Sequence, residues 1–221
     1  MLRMRWTVVF CLLISIGGCQ PSASTRQNTI PDYITGPTEM SRVAGGYELT
    51  NRLYRLVISD QTGDVTFWGF VDHNRNLLSG RGIYTTLTGL PETAPHGTIE
   101  KRDEQTWQFY GEDDNHILWR KIYCLNGDAL AVSIQIQNTR PEDLITTEQI
   151  KGELPGLKIT HHDPELLEGA VDHTAVLFRG YNEFPAPTSR PANPVLIQSD
   201  PFHLKPQERQ SYTTQWKLSS P

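Results

Sequence analysis

From Tyr47 onward, apolar and polar residues alternate with a period of two along the chain. The clearest run is 130–138, where Leu130, Val132, Ile134 and Ile136 fall on one side and Ser133, Gln135 and Gln137 on the other. A strand so patterned is half-buried in an antiparallel sheet, its apolar side toward a core. Asn126-Gly127-Asp128 separates it from the apolar run 117–125, which marks a hairpin. Further strands are predicted over 53–59, 65–70, 82–88, 97–101, 106–110, 157–160, 175–178, 195–198 and 212–218. Helical periodicity is confined to 164–168, where Pro164 suits a first helical position. Many short strands punctuated by turn residues predict an all-β fold, a large antiparallel two-sheet β-sandwich with little helix.

The N-terminus has a different grammar. Arg3 and Arg5 precede the apolar run 6–16, which ends at Gly17-Gly18-Cys19. A basic start, a short apolar stretch and small residues before a break are the parts of a secretory signal. The run is too short for a permanent span, which needs roughly 20 apolar residues. Ile16-Gly17-Gly18-Cys19 also resembles the bacterial lipoprotein lipobox, which implies that Cys19 is acylated and becomes the first mature residue. Acyl chains contribute about 0.8 kcal/mol per buried methylene, so the expected partner is a lipid bilayer held through Cys19. Gln20 follows the cysteine, which favours an outer membrane facing the periplasm where the cell has two. The expected organisation is a signal peptide over 1–18, a lipidated cysteine and flexible tether over 19–45, and a β-sandwich over 46–221. Pro21, Pro31, Pro37, Gly45 and Gly46 support the tether.

Composition narrows the field further. With 20 Lys and Arg against 25 Asp and Glu, the net charge is −5, which argues against nucleic acid as a partner. Once Cys11 is cleaved away and Cys19 is acylated, Cys124 stands alone in the domain, and its apolar neighbours predict a buried structural thiol. No phosphate loop, Gly-x-Ser-x-Gly elbow or His-Glu-x-x-His pair is present, so no cofactor is expected.

Several phrases resemble galactose-mutarotase-like, aldose-epimerase-type β-sandwich domains. They are residues 51–59 with Thr62-Gly63-Asp64-Val65, Asn74-Arg75-Asn76-Leu77-Leu78, the strand 130–138 with 147–156, and the closing 200–208 with 215–218. The resemblance covers roughly residues 47–218, though each phrase is short. It implies a two-sheet sandwich with a concave, sugar-binding face. Enzymes of this type use a histidine as general acid and a late glutamate as general base. This domain is shorter than such enzymes, and no His or Glu aligns with those catalytic positions, so the resemblance bears on fold and ligand class more than on catalysis.

The candidate side chains follow from these readings. His116, His162 and His173 are the acid candidates and Glu183 the base candidate, although neither of the late carboxylates Glu183 and Glu208 has the surroundings of the family's base. Trp68, Trp107, Trp119 and Trp216, with Arg179, are the carbohydrate-binding candidates, since flat aromatic faces suit sugar rings. Tryptophan on a sandwich strand is more often core, which is the competing reading for each. His161, His162, Asp163, Glu165, Glu168, Asp172 and His173 form the densest set of metal-ligand types. Adjacent histidines on a strand point to opposite faces, so no metal is expected. Three functions compete: a tethered noncatalytic saccharide binder, a reduced aldose-epimerase-like enzyme, and a structural envelope lipoprotein that meets a protein partner through a sheet edge.

Overall fold

The computed structural model describes residues 36–219 except 73, 104, 164–165 and 181–194, with the backbone alone at 162 and 163. Seventeen strands run in order: β1 Glu39–Val43, β2 Gly46–Thr50, β3 Tyr54–Ser59, β4 Val65–Phe70, β5 Ile83–Leu87, β6 His96–Lys101, β7 Thr106–Glu112, β8 Ile117–Asn126 and β9 Ala129–Asn138. They continue as β10 Leu144–Thr146, β11 Glu148–Gly152, β12 Lys158–Asp163, β13 Leu166–Val171, β14 Thr174–Arg179, β15 Val195–Gln198, β16 Phe202–Leu204 and β17 Arg209–Ser219. No helix occurs among the described residues.

Two large antiparallel sheets enclose the core. One has seven strands in the order β1-β2-β3-β4-β5-β11-β15, and the other has eight in the order β12-β13-β14-β17-β9-β8-β7-β6; β10 and β16 form a small third sheet. Alternation places the apolar residues between the sheets: Leu56, Ile58 and Ile83 from the first, Phe109, Ile117 and Ile136 from the second. The predicted hairpin is present, with Asn126 opposite Ala129 and Gly127 at φ 58°, a torsion glycine adopts without steric cost. Cys124 is buried in β8, as its apolar neighbours indicate.

Two expectations are corrected. Glu39–Val43, inside the stretch read as tether, pairs with β2 as the edge of the seven-stranded sheet. An edge strand is held by backbone hydrogen bonds and needs little apolar sequence, so composition does not reveal it. The helical turn over 164–168 is not formed where the chain is described. Leu166, Leu167 and Glu168 lie in β13, opposite Arg179, Phe178 and Leu177 of β14, and burial of Leu167 in the core overrides local propensity.

The turn between β3 and β4 reaches across to the other sheet. Gly63, at φ 61°, lies so close to Phe109 that a Cβ would stand 2.4 Å from the ring. Next to it, the buried Lys121 of β8 donates to Asp64 Oδ1 at 2.9 Å and to the Thr62 and Gly63 carbonyls. Arg81 Nε bonds the other Asp64 oxygen at 2.7 Å. A lysine on the inward side of a core strand is tolerated because all its donors find oxygens.

Candidate functional site

All four tryptophans face the core. Trp68, Trp107, Trp119 and Trp216 are 3% exposed or less, so none presents a ring to a sugar as proposed from the sequence. Their polar handles explain why burial is tolerated in two cases: Trp119 Nε1 donates to Asp113 Oδ2 at 2.9 Å, and Trp216 Nε1 to Thr214 Oγ1 at 3.0 Å. Trp68, Phe178 and Trp216 form a cluster with ring centroids 5.6–6.1 Å apart. Arg179 is half-buried on β14 opposite Gln215, six residues along β17 from Arg209, which lines a polar depression.

That depression, of about 180 Å³, lies on the outer face of the eight-stranded sheet. Its wall comprises Gln108, Tyr110, Leu118, Arg120, Gln135, Gln137 and Arg209. The register explains the grouping. Tyr110 pairs with Arg120, Arg120 with Gln135 and Gln135 with Ser211, which makes one row of outward side chains across four strands. Leu118, Gln137 and Arg209 form the next row. Register partners share a face, so these residues stand side by side although they come from four separate strands.

The floor is a hydrogen-bonded lattice. Arg120 Nε donates to Gln108 Oε1 at 2.7 Å and Arg209 Nε to Gln137 Oε1 at 3.0 Å. Gln135 Nε2 donates to Ser211 Oγ at 3.2 Å, and Gln137 Nε2 to Gln207 Oε1 at 2.9 Å. Tyr110 is 46% exposed and supplies an aromatic face. Burial, with the guanidiniums of Arg102 and Arg209 nearby, holds Arg120 below the ordinary arginine pKa. Amides, guanidiniums and one open aromatic ring suit a polyhydroxylated ligand, with polar groups on the hydroxyls and the ring on the C–H face.

The titratable candidates lie elsewhere. His116 is exposed at the turn between β7 and β8, its Nδ1 3.4 Å from Glu112 Oε1. His173 is exposed at the turn between β13 and β14. His162 pairs with Leu167 in backbone register on β12, its side chain lies outside the described set, and Glu183 lies outside the described residues. Neither His116 nor His173 lines the depression. Among the described residues, no cluster of three or more His, Cys, Asp or Glu side chains is arranged to hold a metal ion.

A second cavity, of about 20 Å³, is lined by Glu148, Ile150, Ile197, Gln198, Ser199, Tyr212 and Thr214. Glu148 is buried with both carboxylate oxygens lacking a hydrogen-bond partner. Burial drives its pKa up to about 8, and the charge of Lys121 only partly offsets this. A strongly perturbed acid can mark a functional site, but this space is water-sized and too small for a sugar. Its cost falls on stability.

No protein-family model and no curated protein matches the chain. Solved structures do. A putative aldose 1-epimerase from Escherichia coli K12 superimposes with a TM-score of 0.55 at 12% identity, covering 77% of this chain and 97% of that one. A galactose mutarotase-like protein from Lactobacillus casei gives 0.53 at 6% identity, over 82% of this chain and 100% of its own. A TPR-domain containing protein from Parabacteroides distasonis gives 0.58 at 11% identity, over 79% of this chain but 47% of its own length. At such identities the likeness is one of architecture. With two antiparallel sheets in this arrangement and these structural neighbours, the chain has the galactose-mutarotase-like β-sandwich fold.

Proposed function

We infer that the chain is an exported, lipid-anchored protein whose sandwich binds saccharide without turning it over. The observation that carries the binding reading is the outer-face depression, where Gln135, Gln137, Arg120 and Arg209 offer hydrogen bonds beside the exposed ring of Tyr110. The neighbours' names, an aldose 1-epimerase and a galactose mutarotase-like protein, support the ligand class. The depression's lining supports the absence of turnover. General acid–base work near neutrality uses imidazole or carboxyl groups, whereas this lining is amide, phenol, guanidinium and leucine. Glu112 and His116 meet directly at 3.4 Å rather than facing one another across the width of a sugar ring.

The anchor follows from Cys19 after its short apolar run. The residues between Cys19 and β1 then serve as a tether that lifts the sandwich from the bilayer. In a cell with two membranes, the site is the outer membrane, facing the periplasm.

Titration of the full chain with neutral and charged oligosaccharides tests binding, and millimolar to high-micromolar affinity is expected for one ring, about 4–6 kcal/mol. Polarimetry on fresh α-glucose and α-galactose is expected to follow the spontaneous rate. A catalysed rate abolished by substituting Glu183 or His173 would establish the epimerase reading instead. Cys19→Ser is expected to abolish incorporation of labelled lipid and detergent partitioning; unchanged partitioning refutes the anchor.

A further inference from the structure

We propose that the outer-face depression selects saccharides carrying an anionic substituent, a carboxylate or a sulfate, gripped by the guanidiniums of Arg120 and Arg209. This narrows, and rests on, the saccharide-binding reading.

The two arginines are braced in the same manner. Each donates through Nε to a glutamine amide oxygen, Arg120 to Gln108 at 2.7 Å and Arg209 to Gln137 at 3.0 Å. A neutral amide fixes the direction of a guanidinium without neutralising it. A bond at Nε leaves the two terminal nitrogens, a planar fork that matches two oxygens of a carboxylate or sulfate.

Most of the other described arginines have carboxylates, Arg140 with Glu142 among them. Arg42, Arg55, Arg75 and Arg81 pair with Asp60, Glu48, Asp172 and Asp64 respectively. Arg120, Arg209 and the adjacent Arg102 have no such partner among the described residues. Their mutual repulsion and the burial of Arg120 are felt in its lowered pKa. The repulsion persists on a chain whose net charge is −5, and an incoming anion relieves it.

Acids near this face do not pair with the cluster, Glu208 included, whose Oε2 accepts from the Lys205 backbone N–H at 2.8 Å. Glu112 accepts a hydrogen bond from Thr139 Oγ1 at 3.1 Å and sits beside His116 at the sheet end. Glu100 is exposed on β6, opposite Gln108 in register. Arg209 and Arg120 lie two strands apart and two residues out of line, a backbone separation of about 12 Å at ~4.8 Å per strand and ~3.4 Å per residue. Gln135 and Gln137 stand between them on β9. Charged substituents on the sugars of one oligosaccharide can therefore meet both guanidiniums while ring hydroxyls reach the amides.

The test is calorimetric titration of the full chain with an oligouronate, a sulfated oligosaccharide and a neutral oligosaccharide of equal length, with inorganic sulfate as a fourth probe. At least one charged oligosaccharide is expected to bind about tenfold or more tightly than the neutral one, as charge-assisted bonds require. Arg120→Gln and Arg209→Gln are each expected to weaken charged-oligosaccharide binding at least about fivefold more than neutral-oligosaccharide binding, with the circular dichroism spectrum unchanged. Preference for the oligouronate alone or the sulfated chain alone supports the proposal and identifies the anion. Equal affinity for charged and neutral sugars overturns the anion selectivity and leaves the saccharide reading standing. Charged-sugar binding untouched by either substitution overturns the site. Sulfate alone binding as tightly as the charged sugars reduces it to a plain anion site and overturns the proposal. Failure of every oligosaccharide to bind overturns the saccharide reading itself.

Discussion

Replacing Glu148 by glutamine is expected to stabilise the protein at neutral pH and to leave it nearly unchanged in acid. The carboxyl is fully buried, and burial raises its pKa from 4.5 to about 8, with Lys121 pulling the other way. The folded state therefore holds a proton that the unfolded chain sheds first. Its contribution to stability is unimpaired below about pH 4.5, declines as pH rises toward 8, and is flat above. At ~1.4 kcal/mol per pH unit, the penalty is about 3 kcal/mol at pH 7 and approaches about 5 kcal/mol in alkali. Glutamine has the shape of the neutral acid and no proton to hold, so Glu148→Gln removes the penalty. The assay is urea unfolding of both proteins, followed by the fluorescence of the buried tryptophans at pH 4, 7 and 9. The difference between variant and wild type is expected to open from near zero at pH 4 to a few kcal/mol at pH 7. A difference that stays constant across that range refutes the reasoning, because a buried carboxyl with an ordinary pKa would give one.

Further substitutions probe the core and the depression. Gly63→Ala is expected to cost about 2–4 kcal/mol through the clash with Phe109, whereas Gly89→Ala, at φ 78° with no atom within 4 Å of its Cβ, costs about 1 kcal/mol; equal thermal midpoints for the two refute the contact. Lys121→Met is expected to destabilise by about 3–5 kcal/mol because it removes one of the two cations on buried Asp64. Adding Asp64→Asn should recover part of that loss in urea melts, and no recovery refutes the pairing. Tyr110→Ala is expected to weaken saccharide binding roughly fivefold, about 1 kcal/mol, with stability unchanged within ~0.5 kcal/mol; undiminished affinity by titration excludes the ring from the site.

The strands with strict alternation were legible because one side of each must be buried. β9 shows this directly: Leu130, Val132, Ile134 and Ile136 are buried, while Gln135 and Gln137 stand outside. Alternation does not say which strands become neighbours. Arg120 and Arg209 are 89 residues apart, and only the order β17-β9-β8 puts them on one patch. Nor does the pattern assign an aromatic to the inner or outer side without register, since a one-residue slip reverses both. The four tryptophans therefore read as equally open to stacking, while the exposed ring belongs to Tyr110. Glu148 is a similar case. In Thr146-Thr147-Glu148-Gln149 it looks like a surface residue, and it is buried because it falls on the same inward side of β11 as Ile150, in the small cavity it shares with Tyr212 and Thr214 of β17. β1 is hidden because an edge strand needs little apolar sequence, and β10 because three residues are too few to show alternation.

β17, the last strand of the described residues, pairs with β9 over residues 209–217 and with β14 over 215–219. The eight-stranded sheet is thus two partial sheets, β6 to β9 and β12 to β14, joined only when residues 209–219 enter between them. A ribosome delivers those residues after everything they must connect. Until then Ile134 and Phe178 belong to half-built walls, each with an open edge able to template pairing with another chain. Contacts so distant along the sequence make for slow closure, and holding the nascent chain apart from its copies during that interval matters more here than in a fold built from local hairpins.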